Sequence, residues 1–221
     1  HTRLRTVTGV QTCALPISAM ALVNHTEQQQ LCIDTLINNA GFGIIEQHVV
    51  IDRESICRML QLNVIAVAEL CQLYGALMKQ RLAGRILNIA STAAFQPTPY
   101  FAAYGASKAF VLNFSEALAK ELEDYGVSVS CLAPGPTDTA FFDGVDPQRI
   151  DDEHFFRKSA RADPRVVAQE GVELMLRGGL THVVGAMNRF MILGNRLAPR
   201  PVVAAITKRL LRPAAVKSEV T

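Results

Sequence analysis

The chain has 221 residues, 49% hydrophobic and 19% charged, with a net charge of +2. That is enough for one domain with its own core, and the balance excludes a disordered polyelectrolyte and a strongly basic nucleic-acid binder. No apolar run reaches the roughly 18 residues of a membrane-spanning helix, and Cys13, Cys32, Cys57, Cys71 and Cys131 and the five histidines have no metal-site spacing. The expectation is reduced core thiols in a cytoplasmic protein, with no metal.

Residues 1–18 read as foreign to the rest. Thr8-Gly9 suggests the opening of a phosphate loop of the form T-G-x-x-x-G-x-G. The two later glycine positions hold Cys13 and Leu15, whose side chains would keep a pyrophosphate away from the backbone. Pro16 stands where a helix should begin. Val7–Ile17 resembles the translation of a widely used short-read sequencing adapter. The expectation is therefore an adapter-derived segment fused to a truncated gene, with native sequence from about Ser18 or Ala19. A signal peptide is the competing reading, because Arg3 and Arg5 precede apolar residues, but no continuous apolar stretch follows.

From residue 19 the chain alternates helices and short apolar strands. Ala19–Cys32 is polar and predicts a helix. Asp34–Ile37 is a short apolar run that reads as a buried strand ending at Asn38-Asn39-Ala40-Gly41. From Asp52 to about Leu82, Ile56, Leu60, Val64, Val67 and Leu70 recur at helical spacing, with Gly84 expected to close the helix. Arg85–Ala90 predicts a second strand. Tyr100–Asp124 predicts a second long helix stopped by Gly126, and Val127–Ala133 a third strand ended by Pro134-Gly135. Residues 138–162 lack a clear period and suggest a flap. Pro164–Arg177 predicts a helix capped by Asp163, and Thr181–Val184 a fourth strand. This alternation indicates an α/β protein with a parallel sheet.

Four side chains carry the chemistry. Tyr104 and Lys108 lie four apart in a predicted helix and so share a face. Ser91 follows the second strand, thirteen residues before Tyr104, and Asn63 lies in the first long helix. Taken singly, these could be a surface tyrosine, a solvated lysine, a capping serine and a surface asparagine. Together with Asn38-Asn39-Ala40-Gly41, Leu62-Asn63-Val64, Asn88-Ile89-Ala90-Ser91, Tyr104-Gly105-Ala106-Ser107-Lys108 and Pro134-Gly135-Pro136-Thr137-Asp138-Thr139, they resemble the short-chain dehydrogenase/reductase (SDR) family from about Ile33 to at least Phe142.

The resemblance implies a Rossmann-type doubly wound parallel sheet missing its first βαβ units. It implies an NAD(P)-dependent oxidoreductase interconverting an alcohol and a carbonyl. Nicotinamide would supply the hydride. Tyr104 would be the acid/base, with its phenol lowered by the nearby Lys108 ammonium. Lys108 would also hydrogen-bond the nicotinamide ribose, and Ser91 would donate to the substrate oxygen. Asn63 would hold a water linking Lys108 to solvent, implying a local kink in its helix. Asn39, Ala40 and Gly41 would lie beside the adenosine ribose, and Pro134, Gly135, Thr137 and Thr139 along the nicotinamide. Tyr104 and Lys108 count among the cofactor contacts as well. The acidic or basic residue that selects NAD or NADP is not found. Gly9 precedes Asn38 by only twenty-nine residues, where the family pattern places its first glycine roughly seventy away.

The sequence after Ala94 resembles family reductases of apolar or lipid-like carbonyls, and Phe141, Phe142, Phe155 and Phe156 in the flap suggest apolar contacts. The tail from about Met187 sets Arg189, Arg196, Arg200, Lys208, Arg209, Arg212 and Lys217 against Glu219 alone, interleaved with Phe190, Leu193, Leu197, Val202, Ile206 and Leu210. It reads as a basic helix covering the substrate cleft or contacting an anionic membrane weakly, and Pro199 and Pro201 break any single long helix. The resemblance implies a homodimer or tetramer through the two long helices, about 62–82 and 104–124. The alternative function is an inactive fragment, or a noncatalytic binding or membrane-surface protein, because the phosphate loop is absent.

Overall fold

The computed structural model describes residues 19–142 and 161–212. Residues 1–18, most of the expected flap with Phe155 and Phe156, and the end of the tail lie outside the described residues. Four parallel strands, β1 (Thr35–Asn38), β2 (Gly84–Ile89), β3 (Val127–Ala133) and β4 (Thr181–Val183), form one sheet in the order β1-β2-β3-β4. Each crossover is long enough to hold helices, as parallel pairing requires.

Alternation along the strands builds two cores. On one face, Leu36, Ile86, Val127, Val129 and Cys131 pack against Val67, Cys71, Tyr74 and Met78 of α3 (Ala66–Arg81) and Val111, Leu112 and Leu122 of α4 (Ala102–Leu122). Val23 of α1 (Ala19–Gln28) closes this core. On the other face, Leu87 and Leu132 meet Met175 of α5 (Pro164–Leu176), whose cap Asp163 accepts from the Arg165 N–H at 2.8 Å. The tail folds as α6 (Ala186–Leu197) and α7 (Arg200–Leu211), separated at Ala198-Pro199.

The first long helix is interrupted. The sequence 53–81 runs from α2 (Arg53–Leu60) through one π-helical turn, Gln61–Ile65, into α3. It is long and apolar enough to cross a membrane by length and mean hydropathy. However, Val67, Cys71, Tyr74 and Met78 are buried against the sheet, as in the core helix of a globular domain. Gly84 does not close this helix. Leu82 does, at φ 53°, with its N–H bonded to Lys79 O and Met78 O, while Gly84 already lies in β2, pressed against the Met78 side chain. Gly126 ends the second long helix at φ 67°, and a Cβ there would come within 2.5 Å of Leu82 O. Of the four cysteines described, Cys71 and Cys131 are core residues, but Cys32 and Cys57 are exposed, so the expectation of core thiols fails for those two.

Candidate active site

The expected site residues gather at the carboxyl ends of the strands, where open parallel sheets place their ligands. Asn39–Gly41 follow β1, Ser91 follows β2, and Pro134–Thr139 follow β3. Tyr104 and Lys108 reach this edge from the first two turns of α4.

A buried polar layer holds the edge together. Asn38 Nδ2 donates to Asn88 Oδ1 at 2.8 Å and to Cys71 Sγ at 3.3 Å. Asn88 Nδ2 donates to Ser115 Oγ at 2.9 Å, whose hydroxyl donates to Val111 O at 2.6 Å. β1, β2, α3 and α4 are thus cross-linked by satisfied polar groups, an arrangement that specifies one packing. Burial pushes the Cys71 and Cys131 thiols up to about 12, which keeps them neutral and unreactive. Asn88 and Ser115 were missed as contributors from the sequence, although an asparagine inside an apolar strand run is itself a signal, because it needs buried partners.

Asn63 sits in the π turn and is 1% exposed. Its amide is fully engaged: Nδ2 donates to Phe42 O at 2.9 Å and Ser107 Oγ at 3.1 Å, and Oδ1 accepts from the Phe42 N–H at 3.2 Å. Ser107 in turn donates to Tyr104 O at 2.7 Å. Asn63 therefore clamps the loop after β1 to the helix that carries Tyr104 and Lys108. Gly41 lies within this clamp, where a Cβ would be 2.9 Å from Asn63 Oδ1 and 3.4 Å from Lys108 Nζ. A side chain there would displace one or the other. Asn39 and Ala40 are exposed beside it.

Lys108 is 6% exposed, and its ammonium donates to Ile89 O at 2.8 Å. Burial lowers it to about 8, partly offset by Cys131. Tyr104 is also buried. Its ring stacks on Phe101 with centroids 4.2 Å apart and meets Phe141 at 5.5 Å. Burial pushes the phenol up to about 12, and a hydrogen bond with Ser91 lowers it only in part. The expectation that Lys108 would lower Tyr104 is therefore corrected. The ammonium lies 5.8 Å from the ring centroid, and in this dry setting desolvation outweighs it. With its phenol held that high, Tyr104 is uncharged at neutral pH. Ser91 Oγ also accepts from the Ala93 N–H at 3.2 Å, which fixes it at the start of a short 3-10 turn, Thr92–Phe95.

Across from these groups, Pro134 O accepts from the Thr92 N–H at 2.9 Å. Gly135 lies against the Asn188 amide, 2.5 Å from where its Cβ would stand. Thr137 Oγ1 donates to Gly135 O at 3.0 Å, and Thr139 Oγ1 accepts from the Phe141 N–H at 3.4 Å. The structure thus brings Asn63, Ser91, Tyr104, Lys108 and Gly41 into one cluster. Asn39, Ala40, Pro134, Gly135, Thr137 and Thr139 border the same sheet edge. Asn188, Phe101 and Ser107 also belong to it and were not singled out from the sequence. Among the described residues, no group of His, Cys, Asp and Glu could hold a metal ion.

A parallel sheet with a serine, a tyrosine and a buried lysine converging at its carboxyl edge defines an α/β protein of the Rossmann type. The short chain dehydrogenase family model matches residues 14–150, and the chain belongs to that family. It is 33% identical over 127 residues to a 3-ketodihydrosphingosine reductase of Bacteroides thetaiotaomicron, covering 58% of this chain and 47% of that one. The chain spans about half the length of that curated relative. A solved structure of a short-chain dehydrogenase from Sphingobium yanoikuyae in complex with NADPH superposes with a TM-score of 0.67 at 26% identity, over 83% of this chain and 70% of the other. A structure described for 7beta-hydroxysteroid dehydrogenase stereoselectivity superposes with a TM-score of 0.71 over 87% of this chain and 72% of that one. At 22% identity it is similar in fold.

Proposed function

We propose that this protein is an NAD(P)-dependent oxidoreductase that interconverts an apolar secondary alcohol and its carbonyl. The observation that carries the reading is a neutral Tyr104 phenol, hydrogen-bonded to Ser91, beside a buried Lys108 ammonium. The described residues fit the nicotinamide-ribose end of the cofactor. Gly41 leaves the space a side chain would fill next to Lys108 Nζ, and Lys108 presents a buried cationic donor to it. Asn39 and Ala40 would continue the cradle toward the adenosine ribose, and Pro134, Gly135, Thr137 and Thr139 would flank the nicotinamide.

When bound, the nicotinamide supplies the hydride that goes to the carbonyl carbon. Ser91 donates to the substrate oxygen and orients it. Tyr104 Oη gives its proton to that oxygen as charge develops there, completing the alcohol. The Lys108 ammonium stabilises the tyrosinate left behind, in a site too dry for water to do so. Asn63 is a positioning residue. Its amide is committed to Phe42 and Ser107, so a relay water would use the backbone of the π turn, where the ordinary i→i−4 register is broken. An apolar substrate is supported by the Phe101 and Phe141 rings at Tyr104 and by the aliphatic groove behind Thr92. Residues 1–18 as an adapter-derived segment, a homo-oligomer through the two long helices, about 62–82 and 104–124, where Ile65 of the π turn and Phe110 are exposed, a cytoplasmic location and a weak peripheral membrane contact through the tail complete the reading.

The test is reduction of ketones of rising chain length with NADPH or NADH. Tyr104→Phe is expected to lose about 10²- to 10⁴-fold in kcat, with an unchanged circular dichroism spectrum. Equal turnover by the variant, or a preference for small polar ketones, would sink the corresponding half of the proposal.

A further inference from the structure

The two C-terminal helices leave an unusual face open to solvent. α6 turns Asn188, Ile192 and Asn195 toward the domain. Asn188 Nδ2 donates to Val184 O at 2.7 Å, and Asn195 Nδ2 donates to Gln96 Oε1. On the opposite side, Phe190, Leu193 and Leu197 recur at i, i+3 and i+7 and point outward, 72%, 57% and 83% exposed. α7 is pinned by Val203 and by Thr207, whose hydroxyl donates to Pro97 O at 2.9 Å. Its Val202, Ile206 and Leu210, at i, i+4 and i+8, are exposed too. An apolar groove of about 200 Å³ runs between the helices, lined by Met191, Ile192, Ile206 and Leu210, with Thr92 and Asn188 among its lining residues.

Charge selects the occupant. Residues 186–212 contain Arg189, Arg196, Arg200, Lys208, Arg209 and Arg212, and no Asp or Glu. Arg189 and Arg196, seven apart, flank the Phe190–Leu197 stripe. A second copy of the same face would bring six positive charges against six, which disfavours self-association. An apolar stripe edged by arginines matches the boundary between acyl chains and anionic headgroups.

We infer that α6 and α7 dock this protein on the surface of an anionic lipid bilayer, with Phe190, Leu193 and Leu197 inserted among the acyl chains and Arg189 and Arg196 on the headgroup phosphates. The groove between the helices, on the domain side of α6, leads inward to Thr92, next to Ser91. This sharpens the peripheral contact in the proposed function, and the docking stands whether or not the catalytic reading does.

The test is co-sedimentation of the full chain with vesicles of phosphatidylcholine, with and without phosphatidylglycerol. Binding is expected to the anionic vesicles and to weaken with salt. Arg189→Glu/Arg196→Glu should lower affinity for them at least about tenfold. Phe190→Ser/Leu197→Ser should lower it comparably while secondary structure and melting temperature stay unchanged, since both positions are exposed. Absence of wild-type binding at low salt overturns the inference. So does binding that neither double variant weakens. An oligomer that Phe190→Ser/Leu197→Ser dissociates also overturns it, and would assign the face to a second copy. Because no cofactor or carbonyl is used, an inactive protein can still pass this test.

Discussion

Lys108 holds a cation in a buried part of the site, with Ile89 O as its hydrogen-bond acceptor. Folding lowers it from an ordinary 10.5 to about 8, so between those pH values the unfolded chain binds the extra proton. The stability contribution of this group therefore rises with pH across that window and is lowest below about pH 8. Lys108→Met removes the buried charge at the cost of one hydrogen bond. At pH 7 it should stabilise the chain by on the order of 2 kcal/mol, the gain fading as pH rises from 8 to 10.5. Thermal melts at pH 7 and pH 10 check this, and a lowered melting temperature at pH 7 contradicts it. The same substitution should abolish carbonyl reduction, which would mark Lys108 as kept for function at the expense of stability. Sequence reasoning placed Tyr104 and Lys108 on one face correctly but misjudged the tyrosine. Burial by Phe101 and Phe141 is set by tertiary packing, and spacing along a helix carries no information about it.

At the scale of elements, the π turn is the part of the fold most directly tied to the site. It lets Asn63 bond to both Phe42 and Ser107 while α2 and α3 continue on either side. Asn63→Ala would leave the Phe42 N–H and C=O and the Ser107 hydroxyl short of a buried partner. The expected loss is about 3 kcal/mol, measured by urea unfolding, and a loss under about 1 kcal/mol would contradict the clamp. A kink at Asn63 was expected from the resemblance, and its form is a widened turn rather than a bend at glycine or proline. Strand and helix positions were readable because β2 and β3 show apolar runs bounded by Gly84, Gly126 and Pro134. The end of α3 was not, because Leu82 adopts a left-handed conformation that favours glycine. Gly84, two residues later, serves instead the close contact with Met78.

For the molecule as a whole, the parallel order β1-β2-β3-β4 places every strand's carboxyl end on one edge, so residues distant in sequence meet there. That convergence was legible because the motifs fall at strand ends and in the first turns of α4. The division of the tail into α6 and α7 was legible from Pro199 and Pro201. Which apolar residues of the tail face water was not, because exposure depends on how Asn195 and Thr207 anchor the two helices to residues 96 and 97. In the proposed reaction, nicotinamide held at this edge would give its hydride to a carbonyl while Tyr104 supplies the proton. The most direct measurement incubates the full chain with an apolar ketone and nicotinamide cofactor deuterated at the reactive carbon, then locates the label in the alcohol by NMR. One deuterium on the carbinol carbon is expected with the wild type and almost none with Tyr104→Phe. Label transfer unaffected by Tyr104→Phe, or alcohol formed without label, would contradict it.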